Sequence, residues 1–139
     1  MIKIQTYFIS RSVRFYRNLF WAWLALILFV SSLPYINTPS LRMGGIEFRT
    51  DHILHWLQYT TLAFLMVSWQ YRRKPSSFKH VIFYTLLFGL LLAASDEYHQ
   101  LLIPGRTFTY ADMISNALGV VTGVAIAALF WRPLLKTGS

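Results

Sequence analysis

VIFYTLLFGLLLAASDEYHQLLIPGR, residues 81–106, carries an apolar run straight into two adjacent carboxylates, Asp96 and Glu97. From residue 80 to 95 the chain holds no Lys, Arg, Asp or Glu. A helix needs about 20 mostly apolar residues to cross the hydrocarbon core of a membrane. The run falls short of that length unless Asp96 and Glu97 belong to the end of the helix. The segment therefore reads as a span over residues 79–101 that closes on two acids at the membrane edge.

Three further stretches, 18–41, 52–71 and 113–131, lack charged residues in the same way. They place spans near 18–36, 52–71 and 111–131, joined by short loops. Backbone polar groups in lipid must be satisfied by helices or a closed barrel, and the runs lack the alternation of barrel strands. The expected architecture is all-α: a polytopic membrane protein built as a four-helix transmembrane bundle, a single domain over residues 1–139. Composition agrees. The chain is 55% hydrophobic and only 13% charged, whereas a soluble domain carries about a quarter charged residues on its surface.

The net charge of +8 comes from 13 basic against 5 acidic residues. The basic residues cluster at the ends of apolar runs rather than along one face, so membrane topology explains them and nucleic acid is not an expected partner. Ten of the thirteen fall before span one, between spans two and three, or after span four. By the positive-inside rule both termini are expected to be cytoplasmic. The first run exceeds the about 7–15 residues of a signal-peptide core and continues as SSLPYINTP, so it is expected to remain as a span. With no cysteine there is no disulfide, thiolate nucleophile or zinc–cysteine site.

On this map all five carboxylates (Glu47, Asp51, Asp96, Glu97 and Asp112) face the outer side. So do His52, His55 and His99, while His80 sits at the inner end. Residues three and four apart share a helix face. Asp51, His55 and Tyr59 make one stripe of span two, with Gln58 beside it. Asp96, His99 and Gln100 make another on span three, and Asp112, Asn116, Gly119 and Gly123 a polar-to-small stripe on span four. Ordinary structural roles compete. Asp51 opens a helix, where the dipole favours an acid; Asp112 stands three after Thr109, as in a capping box. His55 and Tyr59 suit interhelical hydrogen bonds, and Gly119 and Gly123 suit close helix packing. Asp96 and Glu97 resist such readings, because a helix C-terminus disfavours negative charge. They need a partner: Arg106, a metal, a proton or a cationic ligand. Pro104 and Gly105 suit the centre of a tight turn that brings Arg106, whose planar fork fits carboxylate or phosphate, beside the two acids.

Together these residues resemble the VanZ-like family of membrane proteins. The resemblance rests on Asp51, His55 and Tyr59, and on a longer block of Ser95, Asp96, Glu97, Gln100, Pro104, Gly105, Arg106, Asp112, Asn116, Gly119 and Gly123, over about residues 20–131. It implies a small multi-pass protein of the bacterial cytoplasmic (inner) membrane, with an association with glycopeptide (teicoplanin) resistance. Three readings of its function stay open. The first is an enzyme acting on a lipid-linked phosphate or glycan at the outer face. Asp96, Glu97, His55 and Asp112 would be catalytic, with Asp51, Tyr59, Gln100, Arg106 and Asn116 binding substrate. Pro104, Gly105, Gly119 and Gly123 would be structural, and a divalent cation such as Mg2+ would fall to Asp96, Glu97 and Asp112. No HExxH or GxSxG motif is present. The second is a non-catalytic binder of a lipid head group or lipoglycopeptide, walled by Tyr98, Phe108 and Tyr110. The third is a structural or translocating protein; four spans are few for a transporter unless it forms a homodimer, for which Gly119 and Gly123 offer a face. Membrane lipids are partners in all three.

Overall fold

The structure, a computed structural model, describes residues 10–35, 40–43, 46–74, 78–106 and 108–135. Its elements are helix α1 (Val13–Ser31), a hairpin of β1 (Ser40–Met43) and β2 (Ile46–Arg49), then helices α2 (Thr50–Arg73), α3 (Phe78–Gln100) and α4 (Tyr110–Leu135). The four helices match the four expected spans. Three of them, Val13–Ser31, Phe78–Gln100 and Tyr110–Trp131, are long and apolar enough to cross a membrane.

α2 is the exception, and packing supplies the reason. Its 24 residues extend for about 36 Å at the usual helical rise, but it is more polar than its neighbours. It lies against α1, α3 and α4 together and buries Asp51, His55, Tyr59, Leu62, Val67, Ser68 and Tyr71. Ile53, Leu54 and Leu57 form an exposed apolar face, and the polar residues sit on the faces turned to the other helices. Polar side chains on its inner faces bond to neighbouring helices instead.

The first helix begins five residues before the expected position. The Ser12 hydroxyl accepts the backbone N–H of Phe15 at 3.2 Å and caps the helix, and Arg14 and Arg17 ride within it. Defining spans by absence of charge misses such a start. It ends at Ser31, where Ser32 turns back on Leu28 O and Pro34 follows. The hairpin, with Arg42 opposite Glu47 and Met43 opposite Ile46, was not legible as strands and is an addition to the expected all-helical architecture.

Cross-bundle contacts define an up-down-up-down path. At one end Tyr16 and Trp131 stack edge to face at 6.0 Å, Trp131 Nε1–H donates to Ser68 Oγ at 2.9 Å, and Arg72 donates to Arg11 O at 2.6 Å. The first residues of α1 and the last of α2 and α4 meet there, so both outer ends of the chain's helical body share one side. At the other end Tyr35 N–H donates to Pro104 O at 3.2 Å. Ile103–Arg106 form the expected tight turn, closed by Arg106 N–H to Ile103 O at 3.1 Å, with Gly105 at φ +78°. That φ is the one a type II turn requires at its third residue.

The α2–α4 seam is the closest. A Cβ added to Gly119 would stand 2.5 Å from the Trp56 carbonyl oxygen, and one added to Gly123 would run into the Thr60 carbonyl. Both glycines are thus consumed by packing within the chain. α2 occupies the Gly119 and Gly123 face through which a homodimer was expected.

Candidate functional site

The polar residues gather where α2 and α4 begin and α3 ends. Four helix ends of alternating direction meet there, so stripes that start at residues 51, 96 and 112 reach the same depth. Asp51, His55, Tyr59, Asp96, Glu97, Gln100, Asp112 and Asn116 are all buried, Glu97 and Asn116 completely so at 0% exposure. Burial of that many polar groups demands partners, and two chains of hydrogen bonds supply most of them.

The inner chain runs across three helices. Asn116 Nδ2 donates to Glu97 Oε1 at 3.0 Å, which turns Asn116 Oδ1 toward His55 Nδ1, also at 3.0 Å. An amide oxygen accepts only, so His55 Nδ1 is the donor of this pair. Alongside, the Tyr59 hydroxyl donates to Asp96 Oδ2 at 3.2 Å. The outer chain lies at the rim. His52 Nδ1 donates to Asp112 Oδ1 at 2.6 Å, and the Thr109 hydroxyl bonds the other Asp112 oxygen while accepting the Asp112 N–H at 3.0 Å. Thr109 therefore caps α4 through the Asp112 N–H, and the Asp112 carboxylate is shared by Thr109 and His52.

Four polar atoms on the last turn of α3 are buried without a hydrogen-bond partner: Asp96 Oδ1, Glu97 Oε2, His99 Nδ1 and Gln100 Nε2. An unpaired buried polar atom costs about 1–3 kcal/mol. Of the four residues, Gln100 alone also lines the cleft beside this turn.

A cleft of about 70 Å³ opens beside this turn, lined by Asp51, His55, Gln58, Gln100 and Arg106 with Val30 and Ser31 of α1. At about 10–15 Å³ of such space per water, the cleft has room for a few water molecules or a group of that size. Arg106 borders it in an unexpected way. Its guanidinium donates to Val30 O in the last turn of α1 at 3.1 Å and to Leu33 O just past it at 3.3 Å, at a helix C-terminus where a cation is favoured. The expected pairing with Asp96 and Glu97 is replaced by this contact.

The stripes expected from spacing converge, with two changes of role. Asp96 and Glu97 do not line the cleft; they bond Tyr59 and Asn116 instead. The ligand spacing expected of Asp96, Glu97 and Asp112 is found elsewhere: among the described residues, Asp51, His52 and Asp112 offer ligand atoms within 4.8 Å of one another. The imidazole in that set suits a transition-metal ion better than Mg2+. His52 escaped the stripe analysis because it follows Asp51 directly, and neighbours in sequence point about 100° apart on a helix. Of the aromatic walls expected for a ligand, Tyr98, Phe108 and Tyr110 do stack in series, with ring centroids 5.9 and 5.1 Å apart.

A family model described as VanZ/LLP1 matches residues 4–131, a longer stretch than the expected resemblance and nearly the whole chain. No curated protein and no solved structure matches it.

Proposed function

The chain belongs to the VanZ/LLP1 family, and from that footing we propose that it is a small membrane enzyme whose polar end acts on a lipid-linked phosphate or glycan. One observation carries the reading. His55 lines the cleft with Nδ1 anchored, through Asn116, to a completely buried carboxyl group. A histidine so held presents Nε2 as a base in a fixed tautomer, with an acid behind it to stabilise the imidazolium.

For a phosphate ester the chemistry runs as hydrolysis. The oxygen of a water bonds to phosphorus while the P–O bond to the lipid or glycan breaks. His55 Nε2 takes the proton of that water and returns it to the departing oxygen. Arg106 and Gln100 border the cleft and offer N–H donors to the phosphate oxygens. A divalent cation, if used, would be held by Asp51, His52 and Asp112, where it would neutralise charge on the phosphate. With ten of thirteen basic residues assigned to the opposite end, the site is read as facing the outside of a bacterial cytoplasmic membrane. Altered lipid-linked envelope intermediates are also the route by which such a protein would bear on susceptibility to teicoplanin.

The test is comparative lipid mass spectrometry on membranes that overproduce wild type or His55→Gln at matched folded levels. Gln can still bond Asn116 but cannot carry the proton. A lipid-linked phosphate or glycan that falls as its product rises, in the wild type alone, is the expected result. Identical lipids in both, with both proteins folded, would overturn the enzyme reading in favour of binding without chemistry.

A further inference from the structure

The opposite end of the bundle carries a second site, independent of any reading of the polar network. All five acids of the chain belong to the other end, whereas Arg14, Arg17, Arg73, Lys74 and Lys79 are exposed here with no carboxylate among neighbouring segments. Three concavities meet at Arg73. A cleft of about 380 Å³ between α1 and α2 is lined by Arg14, Arg17, Trp69 and Arg73. A groove of about 260 Å³ runs on from it between α1, α2 and α3, walled by Phe20, Trp21, Met66, Trp69 and Phe88. A further cleft of about 510 Å³ takes Arg73, Lys74 and His80.

The combination is specific in shape. Trp69 is shared by the basic cleft and the apolar groove, and its ring packs at 5.5 Å from Phe20 and 6.3 Å from Trp21. Tryptophan at the junction of apolar and charged surface is the usual anchor at a membrane interface. The described hydrogen bonds of the Arg17 guanidinium reach only Asn18, both at 3.4 Å, so its donors are not committed to a strong partner. A positive cleft opening into an aromatic groove on a lipid-facing surface complements a molecule with an anionic head and an apolar tail. We propose that an anionic glycerophospholipid of the leaflet at this end binds here, its phosphate among Arg14, Arg17 and Arg73 and one acyl chain along Phe20, Trp21 and Phe88. Positive-inside topology alone requires basic residues near this end, but it does not require them to border a groove.

The experiment compares wild type, the double variant Arg17→Gln with Arg73→Gln, and Lys79→Gln, each in mixed nanodiscs of phosphatidylcholine and phosphatidylglycerol. Lys79 sits at the same end but lines none of the three concavities. Native mass spectrometry after release reads the lipids retained. Wild type and Lys79→Gln are expected to retain phosphatidylglycerol over phosphatidylcholine by on the order of tenfold, and the double variant to lose that preference. Melting temperatures measured in phosphatidylcholine alone check that the double variant is folded. Equal retention of the two lipids by the wild type would overturn the proposal. So would an equal loss in Lys79→Gln, which would mean diffuse surface charge, or abolition of the preference by millimolar inorganic phosphate, which would mean that the groove adds nothing.

Discussion

Replacing Asn116 by Ala is the sharpest test of the buried network. The side chain of Asn116 is the one group that satisfies both Glu97 Oε1 and His55 Nδ1, each at 3.0 Å. Truncation leaves two buried polar atoms without partners, one on a carboxyl group whose second oxygen is already unpaired. At about 1–3 kcal/mol for each stranded atom, the expected loss of stability is about 2–4 kcal/mol, the lower part of the summed range because the space vacated by the amide can take up a water. Glu97→Gln gives the contrast. Its carbonyl oxygen still accepts from Asn116, and the completely buried acid at this position is removed, so its stability should stay within about 1 kcal/mol of wild type. The double variant completes a cycle whose coupling should be about 1–3 kcal/mol. Reversible unfolding in mixed detergent, followed by tryptophan fluorescence, supplies the free energies. An Asn116→Ala protein within about 0.5 kcal/mol of wild type would refute the reasoning, since the carboxyl group and imidazole would then have to be solvated rather than held by this amide.

Other expectations come from the backbone. Gly123→Ala and Gly119→Ala should each destabilise by about 1–3 kcal/mol in the same unfolding assay, because the new methyl meets backbone carbonyls of α2 that cannot turn away. Gly89→Ala should cost less, since its Cβ would meet the Val120 side chain at 2.8 Å, and a side chain can rotate; an equal loss at all three positions would contradict that ranking. Gly105→Ala should lower the melting temperature through about 1 kcal/mol of left-handed strain at φ +78°, plus collision with the Tyr35 ring, and an unchanged melt would show that the turn relaxes freely.

Much of the site was legible because two periodicities coincide with physical constraints. Charge-free runs located the helices, since lipid excludes charge. The i, i+4 rows placed Asp51, His55 and Tyr59 on one buried face and Asn116, Gly119 and Gly123 on another. What rows cannot convey is which partner stands across from each residue. Glu97 found Asn116, Asp96 found Tyr59, and His52 found Asp112 across the bundle, choices set by helix rotation and depth. Arg106 was misplaced for a related reason. The turn at Pro104–Gly105 was correct, but the competing acceptors, carbonyls at the C-terminal end of α1 and just beyond it, lie more than seventy residues away in sequence.

The position of Asp96 and Glu97 is the remaining puzzle, and magnitudes decide it. Their own helix dipole opposes them. The antiparallel path brings the positive ends of α2 and α4 to the same side, a compensation worth about 0.3–1 kcal/mol for a charge within the first turn. Asp112 and Asp51 sit in those first turns and gain it. Glu97 does not: its partner Asn116 lies six residues into α4, and Tyr59, the partner of Asp96, nine residues into α2. At that depth the dipoles have faded, and the two acids depend on one donated hydrogen bond each. That leaves Asp96 Oδ1 and Glu97 Oε2 bare, an expense of a few kcal/mol that packing alone does not recover. A pair of apolar residues would have served the bundle better. The carboxyl groups therefore make sense through what they do to Tyr59, Asn116 and, through Asn116, His55, rather than through what they contribute to stability.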